Sequence, residues 1–134
     1  MNIEIAKAKH GDCIWLTWTD SLGTPRIMLV DTGVSSTFAT FLNAKMKTVE
    51  MIDALVLTHI DDDHISGFTK YLARSSQFSL KIGAYIINKP DGILYDTPVN
   101  KKSLQKAHNV LLELKRRCEA HKCYNVSFES PGIM

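Results

Sequence analysis

Two short, uninterrupted apolar runs constrain this chain most. Arg26-Ile27-Met28-Leu29-Val30 stops at Asp31-Thr32-Gly33, and Asp53-Ala54-Leu55-Val56-Leu57 stops at Thr58-His59. Neither run alternates, so each reads as a strand buried on both faces. Ahead of them, Ile3 and Ile5 alternate and Cys13-Ile14-Trp15-Leu16-Thr17-Trp18 is rich in β-formers. Turns at His10-Gly11-Asp12 and Ser21-Leu22-Gly23-Thr24-Pro25 make the start a three-stranded meander. Between the apolar runs a helix is expected, with Ser35 or Ser36 as N-cap and Phe38, Phe41, Leu42 and Met46 inward. Ile65, Phe68, Tyr71 and Leu72 predict a second helix from near residue 65, and Lys81–Ile87 returns to strand. Leu104, Ala107, Leu111, Leu114, Cys118 and His121 form one apolar stripe, so the longest helix should cover Lys101–His121, before a last strand over Tyr124–Phe128. Strands alternating with helices after a meander give a layered α/β domain, in which chemistry sits at strand ends.

A chain of 134 residues has room for one core, so residues 1–134 are expected to form a single domain. An apolar content of 45% with 22% charged residues excludes a disordered or low-complexity chain. No apolar run approaches the roughly 18 residues of a membrane helix, and no secretory leader is visible. Cys13, Cys118 and Cys123 are an odd and sparse set, unlike a secreted disulfide scaffold, so the expected location is cytoplasmic. Charge is uneven: residues 1–67 are net −4 and residues 68–134 net +6. An acidic half beside a basic half suits a carboxylate-rich site facing a surface that attracts an anion; an ordinary solvated basic helix explains the second half equally well.

The chemistry is concentrated in Thr58-His59-Ile60-Asp61-Asp62-Asp63-His64-Ile65-Ser66-Gly67. Three successive carboxylates between two histidines repel one another unless a cation compensates. Imidazole nitrogen and carboxylate oxygen suit zinc, iron or manganese. In an extended loop, residues two apart share a side, so His59, Asp61 and Asp63 converge, Asp62 points away, and His64 reaches a neighbouring position. Four candidate ligands in six residues suit two adjacent ions, His59 and Asp61 on one, Asp63 and His64 on the other. An acidic N-capping turn explains one aspartate but not the histidines.

This segment resembles the metallo-β-lactamase-fold superfamily, whose signature is a strand ending in Thr-His, then His-x-His-x-Asp-His and a small-residue turn into a helix. Here His59, Asp63 and His64 match, and Asp61 stands in the second histidine slot. Val30-Asp31-Thr32-Gly33 is similar to the family's strand-terminal Asp-x-Gly, whose aspartate supports the site. The His10-Gly11-Asp12 turn resembles the nuclease-like branch found in competence DNA-uptake proteins, as do Asn88-Lys89-Pro90-Asp91 and the long helix. The resemblance implies an αββα sandwich of which this chain is the N-terminal half, lacking the C-terminal half that supplies further ligands. It implies one or two divalent ions, zinc or manganese, with Asp61 favouring the harder metal. It also implies metal-assisted hydrolysis in which Asp63 holds metal and nucleophilic water and Asp31 supports them. An anionic substrate, with nucleic acid as one form, and self-association through an uncovered sheet face follow from the same reading.

Weaker features have plainer explanations. Cys118 and His121 fall on the apolar stripe, so the Cys118–Cys123 segment reads as core before it reads as a zinc cluster. Trp15 and Trp18 face opposite sides of their strand. His10 sits in the turn before Asp12 and reads as a surface turn residue first, with an approach to the metal loop as the alternative. A phosphoesterase of the Asp- and His-rich type, and a metal-binding domain without turnover, are the alternatives in function.

Overall fold

The computed structural model describes residues 1–59 and 62–87, with the backbone alone at Asp62 and Ile87, together with Asn109, Leu112, Glu113 and Arg116. The expected meander forms β1 (Asn2–Ile5), β2 (Ile14–Thr19) and β3 (Pro25–Val30), each antiparallel to the next. The second apolar run becomes β5 (Ala54–Leu57), which pairs in parallel with β3 on one side and with β7 (Tyr85–Ile87) on the other. The sheet order is β1-β2-β3-β5-β7, and β4 (Met51–Ile52) with β6 (Lys81–Ile82) makes a separate two-stranded ribbon. The expected strand over Lys81–Ile87 is therefore two strands in two sheets. Gly83 marks the break, where a Cβ would lie 2.8 Å from the Met51 side chain and 3.0 Å from the Asp53 carbonyl oxygen.

Register separates the two faces of the sheet. Glu4, Trp15, Leu29, Leu55 and Tyr85 pair in one row across all five strands. Of these, all but Glu4 are buried, in one cluster with Phe38, Leu42, Met46, Ile65, Phe68 and Tyr71 from the helices. The opposite face carries the row Ile5, Ile14, Val30, Val56 and Ile86 and the row Ile3, Leu16, Met28 and Ala54. Ile5 is 77% exposed and Ile3 53% exposed, and the others are partly exposed. Trp15 and Trp18 do face opposite sides, Trp15 buried and Trp18 partly exposed. One covered face and one apolar, incompletely covered face is the arrangement expected of the N-terminal part of an αββα sandwich.

The first helix is continuous from Ser35 to Thr48 but not uniform. It comprises α1 (Ser35–Thr37), a π-helical segment (Phe38–Leu42) in which the Asn43 amide donates to the Phe38 carbonyl oxygen, and α2 (Asn43–Thr48). Its N-cap is Val34, with no side-chain cap, rather than Ser35 or Ser36. Ser35 already lies inside the helix, and the Thr37 hydroxyl instead donates to the Lys7 carbonyl oxygen at 3.2 Å. Lys45 pairs with Glu4 at 2.5 Å and lies 5.8 Å from the Trp15 ring centre, tying α2 to the edge of the sheet.

The second helix, α3 (Asp62–Ala73), starts before the expected residue 65. Carboxylates in the first turn of a helix meet the positive end of its dipole, which favours helix over loop there. Asn109, Leu112, Glu113 and Arg116 are helical, as the stripe over Lys101–His121 predicts. The remainder of that segment, the Asn88–Asp91 region, Cys118, Cys123 and the strand expected over Tyr124–Phe128 lie outside the described residues.

Candidate metal centre

Strand register brings distant residues to one sheet edge. Val30 and Val56 are partners in the parallel β3–β5 pair, so both strands finish together. Asp31 and Thr58 follow them. Ile14 pairs with Val30 from the antiparallel side, so the turn before β2 arrives at the same edge. The N-terminus of α3 completes the group.

Asp31 is the centre of the arrangement. It is 1% exposed and has φ +54°, a left-handed turn that aspartate tolerates better than most residues. Its amide donates to the Val56 carbonyl oxygen at 2.7 Å. Its carboxylate accepts from the Thr58 amide at 2.8 Å through Oδ1, while the Thr58 hydroxyl donates to Oδ2. His64 Nδ1 lies 3.1 Å from the same Oδ2. A carboxylate only accepts, so His64 carries its proton on Nδ1 and turns the Nε2 lone pair away from Asp31. The Thr58 oxygen is also 3.0 Å from His59 Nδ1. Its one proton is given to Asp31, so it accepts from His59 Nδ1, which leaves His59 in the same tautomer. One buried carboxylate thus orients two imidazoles, one directly and one through Thr58.

Thr32 locks α3 to this turn. Its amide and its hydroxyl both donate to the His64 carbonyl oxygen at 2.8 Å, and its hydroxyl oxygen accepts from the Phe68 amide at 2.8 Å. The Gly67 amide donates to the Gly33 carbonyl oxygen at 3.3 Å, and a Cβ on Gly67 would lie 2.1 Å from the Thr32 carbonyl oxygen.

The predicted site residues come together in part. The His59 and His64 rings are 4.9 Å apart, and Asp63 Oδ1 is 3.7 Å from His64 Nε2. His59 is exposed, whereas Asp63 and His64 are partly buried. Asp63 and His64 sit in the first turn of α3, so helical geometry, not two-residue alternation, sets their directions. Asp61 lies outside the described residues. Asp12 is an addition: single donor atoms of Asp12, Asp31 and His64 all lie within 4.8 Å of one another. His10, its neighbour, is exposed. The signal for Asp12 was available in the topology, because a turn between antiparallel strands must reach the end of the strand that follows them. Cys13, fully buried beside Asp31, has its thiol pushed up to about 12 by burial first and the Asp31 charge second.

Donors on one ion at 2.0–2.2 Å stand no more than about 4.4 Å apart, so small side-chain rotations would let Asp12 and His64 share a divalent cation beside Asp31. Nitrogen from a tautomer-fixed histidine and oxygen from carboxylates fit a divalent metal ion chemically. Among the described residues no helix is long and apolar enough to cross a membrane. No curated protein and no solved structure matches the chain. A family model described as the metallo-beta-lactamase superfamily matches residues 23–99, a span that begins before β3 and contains Asp31, His59, Asp63 and His64. That span is more than half of the 134 residues, and the chain belongs to the metallo-beta-lactamase superfamily.

Proposed function

We propose that this chain is the metal-binding part of a hydrolase, with His59, Asp61, Asp63 and His64 holding one or two divalent ions. The observation that carries the reading is the Asp31 carboxylate, which sets both histidines with Nε2 free to ligate. Histidine ligands held in this way by a carboxylate are a recurring feature of metal sites. Membership of a superfamily composed mostly of metal-dependent hydrolases supports the reaction class.

A bound divalent ion supplies Lewis-acid activation of water and charge stabilisation at the attacked centre. The protein's own contribution is positional. Asp31 holds the Nδ1 proton of His64 and, through Thr58, that of His59. Asp63 offers a carboxylate beside His64 Nε2 that accepts a proton from an attacking water. Thr32 fixes the start of α3, so that Asp63 and His64 keep their place relative to β3 and β5.

The substrate class we infer is a phosphodiester, with nucleic acid as one form. Support comes from the carboxylate-rich donor set, which suits manganese, and from the net +6 of residues 68–134. The test is titration calorimetry with manganese and zinc, followed by turnover of bis(p-nitrophenyl) phosphate beside lactone and thioester substrates. Manganese binding with salt-sensitive phosphodiester cleavage is expected. Turnover confined to lactones or thioesters would remove the phosphodiester reading. Binding without turnover of any substrate would favour a metal-binding domain, and absence of binding would remove the metal centre.

A further inference from the structure

Asp12 lies before the matched residues 23–99, in the His10-Gly11-Asp12 turn, and is not one of the ligand candidates of the His59–His64 segment. We propose that it is a ligand of the metal centre, delivered by the β1–β2 turn; this rests on the metal-binding reading of the same site.

The turn is built to approach α3. A Cβ on Gly11 would lie 1.8 Å from the Asp63 carbonyl oxygen and 3.1 Å from the Asp63 Cβ, so only glycine permits the contact. The rest of the turn is fixed from several directions. The Ala6 amide donates to the Cys13 carbonyl oxygen at 2.9 Å, the Gly11 amide to that of Ala8 at 2.9 Å, and the Thr37 hydroxyl to that of Lys7 at 3.2 Å. Lys9 takes φ +55°, a strained conformation held by these contacts. Such anchoring leaves the Asp12 carboxylate within 4.8 Å of donor atoms on Asp31 and His64.

The roles of the two aspartates then divide. Both oxygens of Asp31 already accept hydrogen bonds, from the Thr58 amide, the Thr58 hydroxyl and His64 Nδ1. Asp31 is a positioning residue. Asp12 is exposed, and among the described residues no donor is recorded on its carboxylate, so its lone pairs are available. Placing Asp12 near Asp31 without a cation costs repulsion. With a cation, Asp12 supplies a hard donor from outside the His59–His64 segment.

The experiment compares the wild-type chain with Asp12→Asn, Asp12→Ala, Asp12→Glu and a remote control, Glu50→Gln. Manganese affinity is measured by calorimetry, the visible spectrum is recorded for the cobalt-loaded protein, and melting of the metal-free protein checks folding. Expected is a loss of at least about tenfold in affinity in Asp12→Asn and Asp12→Ala, partial recovery in Asp12→Glu, an altered cobalt spectrum, and metal-free melting unchanged. Wild-type affinity and spectrum in Asp12→Asn would overturn the proposal while leaving the metal centre intact. An equal loss in Glu50→Gln would also overturn it, by showing a general charge effect. A wild-type chain that binds neither ion would overturn this proposal and the metal centre together.

Discussion

Replacing Asp31 by asparagine isolates its chemistry from its shape. Asparagine is isosteric and accepts the left-handed φ of +54° as readily as aspartate, so the turn after β3 is kept. The amide oxygen still accepts from the Thr58 amide. The amide nitrogen replaces Oδ2, and it donates where Oδ2 accepted from the Thr58 hydroxyl and His64 Nδ1. His64 must then present an unprotonated Nδ1 to it, which moves the ring proton to Nε2 and removes the lone pair that faces the site. The Thr58 hydroxyl loses its acceptor and is free to donate to His59 Nδ1, which reverses that tautomer as well. Loss of such an orienting carboxylate lowers metal affinity about 10- to 100-fold, or about 1.4–2.7 kcal/mol, and two reversed histidines put the expected loss at the upper end. Calorimetric titration with manganese gives the affinity, and the nitrogen chemical shifts of the two imidazoles give the tautomers directly. Unchanged tautomers with unchanged affinity would refute the argument. So would a loss of affinity accompanied by no tautomer change.

Two further outcomes follow from the packing. Gly67→Ala gains up to about 1 kcal/mol of helix propensity, but its Cβ would lie 2.1 Å from the Thr32 carbonyl oxygen, an overpacking that costs about 1–3 kcal/mol or more. The clash wins, so thermal melting should fall by several degrees, and a higher melting temperature would show that α3 shifts freely. Cys13 has its thiol raised from 9.0 to about 12 in the folded chain, so its stabilising contribution is complete below pH 9 and is lost as pH rises toward 12. Urea unfolding at pH 8 and pH 10.5 should therefore show the stability advantage of wild type over Cys13→Ala shrinking, and a constant gap would contradict the burial.

Residues whose signal is local were legible in the sequence. Ile27–Val30 and Ala54–Leu57 were legible as strands from their unbroken apolar runs, but the expected burial on both faces is not met, because the face carrying Met28, Val30, Ala54 and Val56 stays partly exposed. The histidines and aspartates after Leu57 could be marked by chemical type alone. What failed depended on partners far along the chain. Asp12 was legible as part of a turn, but its place in the site depends on the β2–β3 register. The start of α3 at Asp62 was hidden because aspartates serve loops and first helical turns equally well. Ser35 and Ser36 looked like caps, yet the turn at Gly33 and the Thr37–Lys7 contact set where that helix begins. Lys81–Ile87 read as one strand because two short strands of different sheets, split near one glycine, share one composition.

The π-helical segment Phe38–Leu42 has a geometric consequence for the whole molecule. One extra residue inside a helix changes the angular phase between its two ends by about 100°. Upstream of the insertion, Thr37 is aimed at the Lys7 carbonyl oxygen and so at the turn that carries Asp12; downstream, Lys45 and Met46 are aimed at the sheet. A regular helix could satisfy one of these directions but not both. The insertion acts as a phase shifter, letting a single rod brace the floor of the fold with one end and steady the rim of the site with the other. Removing exposed Thr40 would restore an ordinary helix and set those two duties against each other.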